Sequence, residues 1–241
     1  MASPSPASGI ALQSVHLQRG TTQVFRGLSL RLEEPRIGLI GNNGAGKTSL
    51  FRLLCGLERP AQGSVQVAGH DLQAARVPLP GVVGMMFQNP DDQIIFPTVE
   101  EELGLSLQYQ GVPRKEAIRR GQEFLAQRGL ADWAQRAVGS LSHGQRQHVC
   151  WLSLQMAAPA VMLLDEPFAS LDLPGQARLA ADIRRAPQQV VASTHVLDHV
   201  RGWERVLWLD RGEIRGDGTG HEVCAAYEAH VRTLAPELEP V

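Results

Sequence analysis

Residues 41–49, GNNGAGKTS, gather three glycines, a lysine and a threonine between an apolar run, RIGLI, and an amphipathic one, KTSLFRLLCGL. The pattern G-x-x-x-x-G-K-[ST] between a strand and a helix is typical of a phosphate-binding loop. Its glycines would let backbone N–H groups turn toward phosphate oxygens, Lys47 would reach the β- and γ-phosphates, and Thr48 would bind Mg²⁺. A glycine-rich turn before a helix is the structural alternative. The predicted ATP-binding residues are Gly41, Asn42, Asn43, Gly44, Ala45, Gly46, Lys47, Thr48 and Ser49.

The run VMLLDEP, residues 161–167, ends an apolar stretch in two carboxylates. Asp165, at the end of a strand, would lie near a metal ion on the phosphates, and Glu166 could orient or deprotonate an attacking water. Taken alone, the same run describes a strand that leaves the core. Together with the phosphate loop it favours a catalytic interpretation, with Glu166 and Lys47 as catalytic residues.

The stretch LSHGQ has a structural explanation in its own right. Ser142 and Gln145 have the S-x-x-Q spacing of a helix capping box, placed directly before the apolar HVCWLSL. A capped helix start still offers its remaining N–H groups to an anion, so the cap and a phosphate contact are compatible.

The motifs follow one another as GNNGAGKTS, FQNP, LSHGQRQ, VMLLDEP, ASLD and STH. In this order, and over essentially all of residues 10–220, the sequence resembles the ATPase subunits of ATP-binding cassette (ABC) transporters. The resemblance implies that Gln88 links nucleotide and metal to a helical lobe, that Asp172 spans a dimer interface and that His195, a further catalytic residue, contacts the γ-phosphate. For His195 the alternative is a histidine satisfied at a strand end. The residues implied to bind Mg²⁺, which accompanies ATP, are Thr48, Gln88 and Asp165.

In that family LSHGQ is the signature motif, which caps the ATP held by the opposite subunit. The residues concerned are Ser142, His143, Gly144 and Gln145. The sequence departs from the family pattern at two positions: His143 stands where glycine is usual, and Arg19 stands near the place of an aromatic ring that stacks on adenine. A guanidinium plane can also stack on a base, so Arg19 is a predicted ATP contact.

Short β-like runs surround a stretch with helical spacing. Alternating runs at residues 11–17, 28–32 and 64–69 predict an antiparallel, half-exposed sheet, whereas VMLLD and QVVAST are continuous enough for central parallel strands. Between residues 99 and 160 there is no strand pattern, and PRKEAIRRGQEFLAQRGL has the period of an amphipathic helix.

We therefore predict an α/β fold, with a P-loop NTPase core of the ABC-ATPase type, an N-terminal antiparallel β part and an inserted helical lobe at about residues 89–160. The ATPase domain would cover residues 10–220. A disordered tail would precede it at residues 1–9, and a short C-terminal helical extension would follow at residues 221–241.

The composition is that of a globular protein, with 43% hydrophobic and 20% charged residues. The formal net charge of −2 provides no basic face for nucleic acid, which is therefore not expected as a partner. The three cysteines lie far apart and indicate buried, reduced thiols. The longest apolar run, residues 149–164, is too interrupted for a membrane span and predicts a buried helix followed by a buried strand.

The stretch QNPDDQIIFPTVEEEL, residues 88–103, places carboxylates around an apolar IIFP. Asp91 and Asp92 lack the further clustered ligands that a hard cation needs, and ordinary solvated carboxylates are one interpretation. The other is a groove for a partner helix with a basic end, and the resemblance to ABC importers implies that this helix belongs to the membrane partner. Its predicted residues are Asp91, Asp92, Ile94, Ile95 and Phe96.

The same stretch resembles the ATPases of energy-coupling-factor importers, which take up vitamins and transition-metal ions. Within that group the sequence is most similar to ATPases of biotin uptake systems, and those of cobalt and nickel systems are close. The implied partners are a second copy of the chain in a homodimer, an integral membrane coupling subunit and a substrate-binding membrane subunit. The implied place is the cytoplasmic face of the cell membrane, as a peripheral protein.

Two other classes of function remain open from the sequence. A soluble ABC-type ATPase would normally carry two cassettes or a coiled-coil insertion, and the chain shows neither. A P-loop kinase of a small metabolite would share residues 41–48 but has no use for LSHGQ.

Overall fold

The computed structural model describes residues 9–74, 77 and 79–234. The predicted disordered tail therefore lies outside the described residues except for Gly9, and so does the end of the predicted C-terminal extension, residues 235–241. The chain forms two compact units, one from Met1–Val77 with Gln189–Val241 and one from Pro78–Gln188.

Ten strands and seven helices make up the described chain. The strands are β1 (Ile10–Arg19), β2 (Thr22–Leu32), β3 (Arg36–Ile40), β4 (Gln62–Val67), β5 (His70–Asp71), β6 (Val83–Met86), β7 (Val161–Asp165), β8 (Gln189–Ser193), β9 (Arg205–Asp210) and β10 (Glu213–Gly218). The helices are α1 (Lys47–Leu54), α2 (Leu79–Val82), α3 (Val99–Tyr109), α4 (Arg114–Ala126), α5 (His143–Ala157), α6 (Leu173–Arg185) and α7 (Gly220–Leu234).

The N-terminal part of the first unit is an antiparallel sheet in the order β2-β1-β4-β5. Ile10 and Leu12 of β1 are buried while Gln13 and Ser14 are exposed, as expected for a sheet with one wet face. The predicted N-terminal antiparallel β part is thus present. β5 was not predicted because it is only two residues long and exposed.

The rest of the first unit is a parallel arrangement in which β3 lies between β8 and β9. Every residue of β8 is buried, and β3 is buried from Ile37 onward, which explains their continuous apolar sequences. Gly38 is required in β3 because a Cβ there would lie 2.8 Å from Cβ of Val200. β10 pairs antiparallel with β9 and was not predicted, because EIRGDG contains two glycines and alternates only between exposed and partly exposed residues.

Helix α7 follows β10 and belongs to the first unit. Its Val223 and Cys224 join a buried cluster with Val206 and Trp208 of β9, against which Tyr227 also packs. The first part of the predicted C-terminal extension is therefore helical and folded onto the sheet.

The second unit contains the predicted helical stretch. After β6 and before β7, which pair parallel, the described chain forms α3, α4, α5 and short 3₁₀ turns, and no strand. Val99, Leu103, Leu125, Val149 and Leu152 form the buried centre between these helices. The predicted helix in residues 113–130 is confirmed as α4, and the buried helix followed by a buried strand as α5 and β7.

Two glycines allow α3 and α4 to approach each other closely. A Cβ at Gly104 would lie 3.2 Å from the carbonyl carbon of Ala117, and one at Gly121 would lie 3.2 Å from the carbonyl oxygen of Glu100.

Cys55, Cys150 and Cys224 are buried free thiols, and burial raises the pKa of the first two to about 12. Among the described residues no helix combines the length and the apolar character needed to cross a bilayer.

Candidate active site

The glycine loop follows β3 in the first unit and depends on backbone conformations that only glycine adopts easily. Gly41, Gly44 and Gly46 have φ values of 143°, 78° and 111°. A Cβ at Gly41 would lie 2.0 Å from the carbonyl oxygen of Leu209 on β9, whereas one at Gly44 would meet nothing within 4 Å. The start of the loop therefore packs closely against β9, whereas its middle has free space around it.

Lys47, the first residue of α1, extends back along this loop. Its side chain is buried, and Nζ donates hydrogen bonds to the carbonyl oxygens of Gly41 at 2.6 Å and Asn42 at 3.1 Å. The first turn of α1 contains no acidic residue and has no side-chain cap. A positive helix end and a buried ammonium group thus meet at one loop, an arrangement that favours anion binding.

Tyr227 of α7 also contacts the glycine loop, a role that the sequence did not reveal. Its hydroxyl donates a 2.7 Å hydrogen bond to Oδ1 of Asn42. Burial, with a contribution from Asp210, raises the pKa of the Tyr227 phenol, so the group stays a neutral donor at physiological pH. Trp208 supports the ring in an edge-to-face contact with the centroids 5.3 Å apart. The two residues are 185 positions apart in the sequence, so no local sequence pattern predicts this contact.

His195 lies at the same sheet edge as the glycine loop. β3 and β8 are parallel neighbours with Leu39 opposite Ser193, so the residues that follow both strands emerge side by side. His195 is exposed, and the hydroxyl of Thr194 accepts a hydrogen bond from the N–H of Val196 and so shapes the turn after it. The strand register thus places His195 and the loop at one edge of the sheet, and the contact of His195 with the γ-phosphate stays a prediction.

In the second unit, register brings Gln88 and the carboxylate pair to one edge. β6 and β7 are parallel, with Met86 opposite Leu164, so Gln88 and Glu166 each come two residues after this paired position. Asp165 is 6% exposed and Glu166 is 7% exposed. Glu166 has a φ of 48°, a left-handed conformation that costs a non-glycine residue on the order of 1–3 kcal/mol and recurs at functional sites.

The predicted capping box at the signature motif is present. The hydroxyl oxygen of Ser142 accepts a 3.2 Å hydrogen bond from the N–H of Gln145, and Oε1 of Gln145 accepts one of 3.0 Å from the N–H of Ser142. These two bonds define the first turn of α5. Nearby, Asp172 caps α6 by accepting a 2.9 Å hydrogen bond from the N–H of Gly175.

A family model described as "ABC transporter" matches residues 25–169 of the chain. The chain belongs to the ABC transporter ATPase family. Membership of this family excludes the alternative that the chain is a P-loop kinase of a small metabolite. The mixed α/β architecture agrees with the predicted P-loop core of the ABC-ATPase type.

Known relatives of this ABC ATPase include ATP-binding proteins of transporters. The biotin transport ATP-binding protein BioM of Rhodobacter capsulatus is 45% identical over 226 residues, which cover 94% of this chain and 97% of the relative. The energy-coupling factor transporter ATP-binding protein EcfA1 of Enterococcus faecalis is 34% identical over 81% of this chain and 72% of its own. The predicted resemblance to energy-coupling-factor and biotin ATPases is therefore confirmed.

A solved structure supports the fold of the ABC ATPase. CbiO1 from Clostridium perfringens, described as part of the ABC transporter complex cbiONQ, superimposes with a TM-score of 0.77 over 95% of both chains at 22% identity. The predicted fold class is confirmed by this match.

The two departures from the family pattern have local structural accounts. His143 is the first residue of α5, is exposed and has no positive φ, so the backbone does not require glycine there. Arg19 is held by Glu58, which accepts from both its Nε and Nη2 and also from Nε of Arg52 at 2.8 Å. This network orients the guanidinium of Arg19; its contact with adenine stays a prediction.

The five predicted docking residues lie on one short segment of the ABC ATPase but differ in their surroundings. Ile95 is 74% exposed, whereas Ile94 packs against the buried cluster of the second unit. Asp92 is exposed, and Asp91 lies beside Arg146 of α5. Among the described residues no three His, Cys, Asp or Glu side chains form a metal cluster.

We expect Gly41→Ala to destabilise the ABC ATPase by on the order of 3 kcal/mol, because the new methyl group would collide with the carbonyl oxygen of Leu209 in a backbone conformation unfavourable for alanine. The matched control is Gly44→Ala, which has space for its methyl group and should cost about 1–2 kcal/mol for its positive φ alone. Urea unfolding of both variants measures the difference. Equal losses of stability would contradict the close approach at Gly41.

Proposed function

We propose that this ATPase powers an importer of the energy-coupling-factor type, with biotin as the favoured substrate and another vitamin or a transition-metal ion as the alternatives. The observation that carries the proposal is the similarity to BioM, which extends over nearly the whole of both chains. The similarity to EcfA1 supports the importer type, and it favours a transporter subunit over a soluble ABC-type ATPase.

The ATP phosphates are proposed to bind the glycine loop. Lys47 supplies the positive charge, and the backbone N–H groups at the start of α1 supply directed donors. Of the loop residues, the N–H of Ala45 is already used in a turn to the carbonyl of Asn42 at 3.1 Å. All the predicted loop residues, from Gly41 to Ser49, are proposed as the nucleotide-binding site, with Arg19 stacked on the base.

Mg²⁺ is the proposed companion of ATP. The hydroxyl of Thr48, the amide oxygen of Gln88 and the carboxylate of Asp165 are hard oxygen donors, which suit Mg²⁺. This ion commonly uses one or two protein groups together with substrate phosphates and water, so a preformed carboxylate cluster is not needed. When bound, it neutralises charge on the phosphate oxygens.

Glu166 is the proposed general base. Its carboxylate orients a water molecule for in-line attack on the γ-phosphorus and accepts its proton, while the bond between the γ-phosphorus and the bridging oxygen breaks and ADP departs. His195 is proposed to hold the γ-phosphate during this step, and Lys47 to stabilise the charge that develops. The backbone strain at Glu166 supports a functional role because the fold maintains it at a cost.

Two copies of the chain are proposed to form a homodimer in which the signature motif of one copy caps the ATP of the other. Ser142 and Gly144 supply the polar contacts, with His143 and Gln145 in the same turn, and Asp172 lies at the interface. A single chain has all the motifs intact, so a symmetric dimer would contain two complete sites.

The docking segment, residues 89–97, is proposed to receive the membrane coupling subunit, which works with a substrate-binding membrane subunit at the cytoplasmic face of the cell membrane. Asp91, Asp92 and Ile95 are exposed and Phe96 is partly exposed, whereas Ile94 packs against the buried cluster of the second unit. An exposed isoleucine beside a carboxylate suits a helix with an apolar face and a basic end.

We expect Glu166→Gln to retain nucleotide binding and to lose nearly all ATP hydrolysis, because the base is removed while the phosphate loop is untouched. Lys47→Ala should weaken nucleotide binding as well. Fluorescent-nucleotide titration and steady-state turnover, measured on both variants, separate the two effects. Full turnover by Glu166→Gln would remove Glu166 from the mechanism.

The homodimer proposal predicts that turnover per chain rises with chain concentration, because each site needs the signature motif of a second copy. Dilution of the purified protein across its dimerisation range at saturating ATP measures this dependence. Turnover per chain that stays constant across a wide dilution series, in a protein that sediments as a monomer, would refute the proposal.

Reversal of the charge at Asp92, by Asp92→Arg, should weaken assembly with the membrane subunits and reduce transport, because a basic helix end would meet a positive charge. Co-purification from membranes and substrate uptake by vesicles are the measurements. Nucleotide affinity of the isolated variant checks that it folds. Normal assembly and uptake by this variant would show that the segment is ordinary surface.

A further inference from the structure

The neighbouring carboxylates Asp91 and Asp92 are equivalent in the sequence but not in the structure. Oδ1 of Asp91 lies 2.8 Å from Nε of Arg146, whose side chain is 21% exposed; the contact is an ion pair, and the N–H of Nε is not directed at the carboxylate as a hydrogen bond. Asp92 has no ion pair with any residue that the structure describes. One of the two carboxylates is thus engaged within the second unit, and the other faces outward.

Arg146 is the residue directly after LSHGQ and lies in the first turn of α5. Besides its contact with Asp91, its Nη1 donates a 2.7 Å hydrogen bond to the carbonyl oxygen of Leu141. Leu141 is buried and immediately precedes Ser142. A single rigid guanidinium therefore touches the chain just before the signature motif with one nitrogen and the docking segment with another.

Hydrogen bonds also hold the docking segment at Gln93, Ile95 and Phe96. Oε2 of Glu102, a buried carboxylate on α3, accepts hydrogen bonds of 2.9 Å from the N–H groups of both Ile95 and Phe96. Oε1 of Gln93 accepts one of 3.0 Å from the N–H of Phe87. Because Gln93, Ile95 and Phe96 are held by these bonds, the ion pair to Arg146 links two ordered parts of the second unit.

We propose that Arg146 is a positioning residue, which through Asp91 sets the signature motif in register with the docking segment. The proposal rests on the proposed function of both parts. Displacement of the docking segment would move Asp91, and through the guanidinium it would move the chain at Leu141 and the first turn of α5. Lysine could not replace this arginine, because an ammonium group lacks the planar fork that reaches both acceptors.

The test compares Asp91→Asn, Arg146→Lys and the double variant with Glu123→Gln as the control. Glu123 forms an ion pair with Arg119 on the surface of α4, and its side chain is 54% exposed against 58% for Asp91. The purified full-length chain is assayed for ATP turnover and nucleotide affinity. Hydrogen–deuterium exchange of the amides in residues 141–150 is measured in parallel.

We expect Asp91→Asn and Arg146→Lys each to lower kcat about threefold or more, with nucleotide affinity unchanged, because the phosphate loop is untouched while the signature motif loses its position. Amides at the start of α5 should exchange faster in both. The double variant should be no worse than the more severe single variant, because both changes remove the same link. Glu123→Gln should match the wild type in all three measurements.

Two results would overturn the proposal: wild-type exchange and kcat in Asp91→Asn, or effects of the two single variants that add in full. Neither result depends on a membrane partner. Failure of the link therefore appears in the isolated chain, whereas failure of the proposed importer function appears in assembly and uptake.

Discussion

The burial of the central parallel strands is the constraint from which the arrangement of the candidate site follows. β7 and β8 are buried at every residue, so their interiors have no room for an unpaired polar side chain. Reactive groups can then appear only where a strand ends. Parallel pairing brings such ends to a common edge: the glycine loop beside His195 in the first unit, and Gln88 beside Glu166 in the second.

The start of α5 shows how one set of atoms can serve stability and recognition together. Ser142 satisfies the N–H of Gln145, and the carbonyl of Ser142 accepts from the N–H of Arg146. The N–H groups of His143 and Gly144, the first two of the helix, lie outside the intrahelical ladder. The cap does not use those two donors, so the proposed phosphate contact would not compete with it for the same N–H groups.

Much of this organisation could be predicted from the sequence, because it rests on local patterns: the phosphate loop, the buried strands, the capping box and α4 all have periodic or motif signals. The parts that could not be predicted depend on distant partners. β10 has a weak pattern and exists because β9 offers it an edge. Asp91 differs from Asp92 only through Arg146, 55 positions further on, and Tyr227 reaches Asn42 only because α7 folds back onto the sheet.

The contact between Tyr227 and Asn42 has an optical consequence. The indole of Trp208 lies within 5.3 Å of the phenol of Tyr227 and also contacts the imidazole of His230 and the guanidinium of Arg215. Of the four tryptophans in the chain, this one is a single side chain removed from the glycine loop. We therefore expect the emission of Trp208 to respond to changes at that loop, as an intrinsic fluorophore that needs no attached dye.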